Sequence, residues 1–244
     1  MNIIESILTN NPCYKAGRTI TVKGLMLHSV GCSQPNAKVF VRNWNKSDFN
    51  NACVHAFIDG NTGDVYQTLP WSHRGWHGGG SSNNTHIGVE MCEPATIKYT
   101  SGVNFDVINE TDAIAVATRT YTSAVELFAK LCADFNLDPL SDGVVISHRE
   151  GHAKGIASNH ADPEHLWKKL KLPYTMDGFR ADVKKQMTPK NTNNSNTNNE
   201  TVNEKKVLYR VQVGAFSKKQ NAVNMLNKLK KAGFDGFIAT VKED

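Results

Sequence analysis

No segment of the chain carries the roughly 18 consecutive apolar residues that a membrane-spanning helix requires. The N-terminus, MNIIESILTNNPCYKAG, lacks a basic patch followed by an apolar stretch, which excludes a secretory signal. A chain with neither feature is expected to be cytoplasmic when made and to stay there until something releases it. Cysteine is sparse and poorly spaced: Cys13, Cys32, Cys53, Cys92 and Cys132 are scattered, odd in number and include no CxxC pair. That pattern argues against a disulfide framework and against a cysteine-rich zinc site. Reduced, mostly buried thiols are expected instead. Cys32 lies four residues after His28, a helical ligand spacing, but Pro35 and the turn-like VGCSQP oppose a helix there.

What is present is an ordinary globular balance, 39% apolar and 21% charged over 244 residues, enough for one medium domain and something small. Charge is uneven. Residues 205–244 hold nine Lys/Arg and three acids, net +6, leaving 19 basic and 20 acidic residues before them. A basic end fits an anionic partner such as nucleic acid or a cell-wall polymer, or simply a solvated lysine-rich helix face. The tail lacks the paired aromatic motifs of RNA-binding sheets, so no nucleic acid is expected.

The clearest boundary is Pro189 to Glu204, PKNTNNSNTNNETVNE, which is Asn/Thr-rich and has no large apolar residues. It cannot bury enough surface to fold and reads as a flexible linker between domains at 1–188 and 205–244. In the larger domain, KGLMLHS, CVHAFID, DVYQTLP, IGVEMCE and GVVISH read as strands, the second and third joined through the turn-rich DGNTGD. Between the last two strands, Ile114, Ala117, Tyr121, Ala124, Val125, Phe128, Leu131, Cys132 and Phe135 recur at helical spacing, with Thr111 as the expected N-cap. SQPNAKVFVRNWN suggests an earlier helix, and PEHLWKKL a later one starting at Pro163. Strands mixed with long helices imply a central sheet covered by helices. In the tail, a strand in VLYRVQVGAF, a helix with Ala222, Met225, Leu226 and Leu229 on one face, and a strand in FDGFIATV give a small β-α-β unit.

Three polar residues fall where strands are expected to end: His28, Glu90 and His148. Strand ends are where α/β sheets place their sites. Two histidines and a carboxylate form a common catalytic zinc shell with an open fourth position, and such a zinc suits amide hydrolysis. Ile146 to Trp167, ISHREGHAKGIASNHADPEHLW, holds four histidines. His148 and His152 have i,i+4 spacing, although Gly151 and Gly155 weaken a helix there. His160 and Asp162 would point the same way in an extended segment. Asp162 serves equally as a metal ligand or as a cap for the helix at Pro163, and the two roles are compatible.

LMLHSVG, the HAFID and VYQTLP hairpin, RGWHGGG, THIGVEMCEP and ISHREGHAKGIASNHADP together resemble, in this order, the zinc-dependent N-acetylmuramoyl-L-alanine amidases. This is the type 2 amidase family, related to peptidoglycan recognition proteins and the T7 phage lysozyme. The resemblance spans about 20–175. It implies an α/β fold with a central mixed sheet flanked by helices. It also implies one Zn2+ per catalytic domain and hydrolysis of the amide between N-acetylmuramic acid and L-alanine in peptidoglycan. By position, His28, His148 and Asp162 match the metal ligands, and Glu90 matches the catalytic acid that activates water. Many relatives carry Lys two residues before the third ligand as an oxyanion stabiliser. His160 holds that place here, which makes the rate more sensitive to pH. Trp76, His77 and Asn84 match the substrate groove, with Trp71 and Arg74 near it, and His152 is a spare.

YRVQVGAFS, the following helix and GFDGFIATV resemble one half of a SPOR domain, a peptidoglycan-binding family. The sequence is therefore expected to encode a cell-wall-lytic amidase with a wall-binding tail. With no signal peptide, it fits a phage or prophage endolysin of a Gram-positive, clostridial-type host, released through a holin-type pore. The alternative is a non-catalytic recognition module of the same fold, but relatives of that kind lose zinc ligands.

Overall fold

The computed structural model describes residues 1–50, 52–188, 213–231 and 238. The chain divides into two units, Met1–Asn191 and Thr192–Asp244. The first runs β1 (Ile3–Glu5), α1 (Pro12–Lys15), β2 (Gly24–Ser29), α2 (Ala37–Trp44), β3 (Ala56–Ile58), β4 (Val65–Gln67), β5 (His86–Met91), β6 (Ile97–Ser101) and β7 (Asn104–Val107). It continues with α3 (Glu110–Asp134), β8 (Val145–Ser147), α4 (His148–Ala153), α5 (Glu164–Lys169) and α6 (Met176–Met187). The second contributes α7 (Lys219–Lys231).

Six strands form a mixed sheet in the order β1-β4-β3-β5-β2-β8, and β6 with β7 forms a separate hairpin. β3 and β4 pair antiparallel, as the turn-rich connection predicts. β5, β2 and β8 run parallel side by side, so their C-terminal ends share one edge. This is the α/β architecture expected from the sequence.

Alternation along the strands sorts the two faces. Leu25 and Leu27 of β2, Ile87, Val89 and Met91 of β5 and Val145 of β8 join one core with Tyr121, Leu127, Phe128 and Leu131 of α3 and Phe179 and Val183 of α6. Each such buried side chain contributes about 1.5–3 kcal/mol. The intervening residues, Met26, His28, Gly88 and Glu90, therefore face the other side. Ala37 of α2 packs there with Val54, Phe57, Tyr66 and Cys92 in a second cluster.

The helix boundaries depart from expectation at three places. α3 is capped by Asn109, whose side chain accepts from the Asp112 amide, and Thr111 is exposed within its first turn. α5 begins after Pro163, with no side-chain cap. The third is α4, which forms despite Gly151. Ser147 and Glu150 close a capping box around its first turn. A Cβ on Gly151 would lie 2.8 Å from Met26 Cε and 3.0 Å from Ala157 Cβ, so α4 packs closely on β2 at this position. Gly155, at φ +72°, ends the turn in the left-handed conformation that glycine adopts freely.

In the tail, the expected helix is present, with Ala222, Met225, Leu226 and Leu229 half-buried along it. Residues 213–216 carry no regular structure. The rest of the expected first strand, and all but Ile238 of the second, lie outside the described residues, as does the linker at 189–204.

Candidate metal and catalytic centre

β2 carries His28 to its C-terminal end, where the side chain is almost fully buried. One strand away, β8 ends at Ser147, and His148 opens α4. The segment leading into α5 brings Asp162 beneath both. His28 Nδ1 lies 3.1 Å from His148 Nδ1 and 3.2 Å from Asp162 Oδ2. His148 Nδ1 lies 3.6 Å from Asp162 Oδ1. The Ser29 amide donates to Asp162 Oδ2 at 3.4 Å. Asp162 thus faces the two histidines and leaves α5 without a side-chain cap. His152 is exposed on α4, with Nδ1 3.4 Å from the Ala157 carbonyl, away from this cluster. Cys32 is exposed and outside it.

The cluster fits a small cation. Among the described residues, the ligand atoms of His28, His148 and Asp162 lie within 4.8 Å of one another. Ligands about 2.0–2.2 Å from a tetrahedral zinc stand about 3.3–3.6 Å apart, close to the separations observed. Burial opposes a charge on His28, yet the Asp162 hydrogen bond and the charges of Glu90 and Asp162 raise its pKa. His148 is pushed down to about 4 by burial and by the neighbouring His28.

Glu90 stands directly across from His28 in the β2–β5 register. Its Oε2 is buried and has no hydrogen-bond partner. Burial pushes its carboxyl up to about 8, with Asp162 and Glu93 adding to the shift and His28 opposing it. His160 is exposed. Its Nδ1 sits 3.1 Å from His148 Nε2 and 3.0 Å from Ser158 Oγ, so it covers the outer nitrogen of His148.

The residues expected in the substrate groove separate. Trp76 is 51% exposed and, with Arg18 and Phe49, lines a cavity of about 400 Å3. Asn84 is exposed and accepts from Arg74 Nε at 2.7 Å. Trp71 packs against the core instead. His77 is buried, and its Nδ1 lies 3.0 Å from His28 Nε2.

A second buried constellation adjoins the centre and was not singled out from sequence. Glu93 is fully buried, accepts from the Gly31 amide at 3.1 Å and from the Tyr99 hydroxyl at 2.6 Å, and is pushed up to about 7 by burial. The Tyr99 oxygen also lies 2.8 Å from His165 Nε2. The sequence offers little signal for it: Tyr99 sits in a short hairpin, and His165 reads as an ordinary helix residue.

The family model described as N-acetylmuramoyl-L-alanine amidase matches residues 18–165, and the SPOR domain model matches residues 177–240. Among solved structures, the catalytic domain of XlyA is 24% identical over 75% of this chain and 99% of its own, with a TM-score of 0.51. The hydrolase AmiA of Staphylococcus aureus, solved in complex with its ligand, is 20% identical over 77% of this chain and 83% of its own, at 0.57. A mutant endolysin from Bacillus subtilis is 23% identical over 75% and 99%, at 0.51. At these identities the structural likeness concerns the fold. No curated protein matches the sequence.

Proposed function

Because the chain belongs to the N-acetylmuramoyl-L-alanine amidase family, we propose that it hydrolyses the amide between N-acetylmuramic acid and L-alanine in bacterial peptidoglycan, with zinc held by His28, His148 and Asp162. The observation that carries this reading is the convergence of those three donors beside the unpartnered carboxylate oxygen of Glu90. When bound, a zinc ion supplies Lewis acidity, polarising a carbonyl and acidifying water.

The chain's own residues do the rest. Glu90 takes a proton from the attacking water at Oε2 and returns it to the departing amide nitrogen. Burial raises its pKa in the metal-free chain, which favours the step in which Glu90 returns the proton. His160, at the exposed rim, donates a ring N–H to the carbonyl oxygen as charge develops there. Trp76 and Asn84 stand on the exposed surface where a glycan or stem peptide approaches. Residues 189–204 act as a linker to a wall-binding tail at 205–244; the SPOR match, over residues 177–240, supports the wall-binding part of that reading. Among the described residues no helix is long and apolar enough to cross a membrane.

The test is digestion of purified Gram-positive peptidoglycan with the chain as it is, after chelation, and after zinc is restored. New L-alanine amino groups without new reducing sugars, lost on chelation and regained with zinc, are expected. Binding without new ends would mean a recognition module of the same fold.

A further inference from the structure

His77 is buried, and its ring lies on the Nε2 side of His28, away from Asp162. Its Nε2 lies 3.1 Å from the backbone carbonyl of His86. A carbonyl only accepts, so His77 Nε2 carries the proton. A neutral imidazole carries a single N–H, which leaves Nδ1 as an acceptor. That nitrogen is 3.0 Å from His28 Nε2, which must then donate. Where a cation replaces the proton that His28 Nδ1 shares with Asp162, a His28 that keeps its N–H at Nε2 offers the Nδ1 lone pair to that cation beside His148 and Asp162.

The fold holds His77 in this orientation from three sides. Asn83 Oδ1 accepts from the backbone amides of His77 and Gly78, both at 2.9 Å. The ring of His55 meets that of His77 edge-on, with centroids 5.8 Å apart. His55 is itself fixed, since Nδ1 accepts from the Gly88 amide and Nε2 donates to the His73 carbonyl. Gly88 makes the space: a Cβ there would stand 2.3 Å from Cγ of the His77 ring. A glycine in a buried central strand costs backbone entropy, and here that cost makes room for one imidazole.

We infer that His77 is a positioning residue: a hydrogen-bond chain from His28 through His77 to the His86 carbonyl locks the His28 tautomer that presents Nδ1 to the metal. The inference rests on the metal reading proposed above. An outer partner that orients a ligating histidine typically contributes about 10–100-fold in metal affinity.

The experiment measures zinc affinity of the full chain by chelator competition for wild type, His77→Phe, His77→Asn and His28→Ala. His77→Phe keeps the ring and removes both nitrogens, and zinc binding is expected to weaken about 10–100-fold. Asn places an oxygen near the position of Nδ1, so His77→Asn is expected to recover most of that loss, which a purely space-filling role would not produce. Retention of zinc by His28→Ala would overturn the metal reading itself. Loss of zinc by His28→Ala with wild-type affinity in His77→Phe would overturn the hydrogen-bond chain alone. Should His77→Phe not fold, 15N spectra of the wild-type imidazoles decide. His77 protonated at Nε2 and bare at Nδ1 supports the hydrogen-bond chain, and the reverse overturns it.

Discussion

Glu90 and His28 are register partners on adjacent parallel strands, so a rigid ladder sets the distance from the proposed proton acceptor to the candidate cation site. Replacing Glu90 with Gln keeps the shape and removes the base. Zinc content should stay unchanged while turnover falls about 10²–10⁴-fold. Metal analysis alongside release of L-alanine amino groups checks this, and full turnover would remove Glu90 from the mechanism.

The three converging donors should be separable from the nearby spare. His28→Ala, His148→Ala and Asp162→Asn are each expected to lose bound zinc. His152→Ala should keep it, because His152 faces solvent on α4. Loss of metal in the His152 variant would mean that α4 presents a different face to the cation.

Acid should destabilise the metal-free protein through its buried neutral histidines. His55 is fully buried, and burial pushes its pKa down to about 4 from an ordinary 6.5. Between those values the unfolded chain takes up a proton that the folded chain refuses. Stability is therefore complete above pH 6.5 and falls as the pH drops toward 4. His55 alone accounts for about 2 kcal/mol between pH 7 and pH 5. Urea midpoints at the two pH values should show this loss, and His55→Asn should show a shallower one. Equal slopes would show that His55 does not carry the effect.

Two truncations should behave differently although they lie close together. A chain ending at 188 keeps α6, so it should fold and retain amidase activity while holding less firmly to peptidoglycan. A chain ending at 175 loses Met176, Phe179 and Val183, all buried, at a cost on the order of 5 kcal/mol. Thermal melts and wall pull-downs distinguish them. The SPOR match begins at 177, yet α6 packs into the amidase core, so the match and the folding unit do not share a boundary.

Much of this centre was readable before any coordinates. The apolar runs ending at His28, Glu90 and His148 named three neighbouring strand ends, and the long stripe from Ala117 to Cys132 named α3. Shorter elements gave weaker signals: β1 has three residues, β6 and β7 form a small hairpin, and α6 shows only Met176, Phe179 and Val183 among charges. Gly151 misled because propensity counts the backbone cost of glycine and does not see Met26 across the gap. Asp162 could not be assigned between cap and ligand, because nothing local says which way a carboxylate turns. The placement of His77 was invisible for a related reason: its partners are a backbone carbonyl and a ring brought in from another strand.

In the candidate cation site, His148 and Asp162 lie 120 and 134 residues after His28 in the chain. Closing loops of that size costs entropy that nothing local repays. An ion that binds only the closed arrangement would therefore act as a clasp on the whole domain, fastening the early strand β2 to segments made more than a hundred residues later. Its occupancy would raise the melting temperature by mass action, and zinc supply would then govern how long the enzyme survives as well as how fast it works.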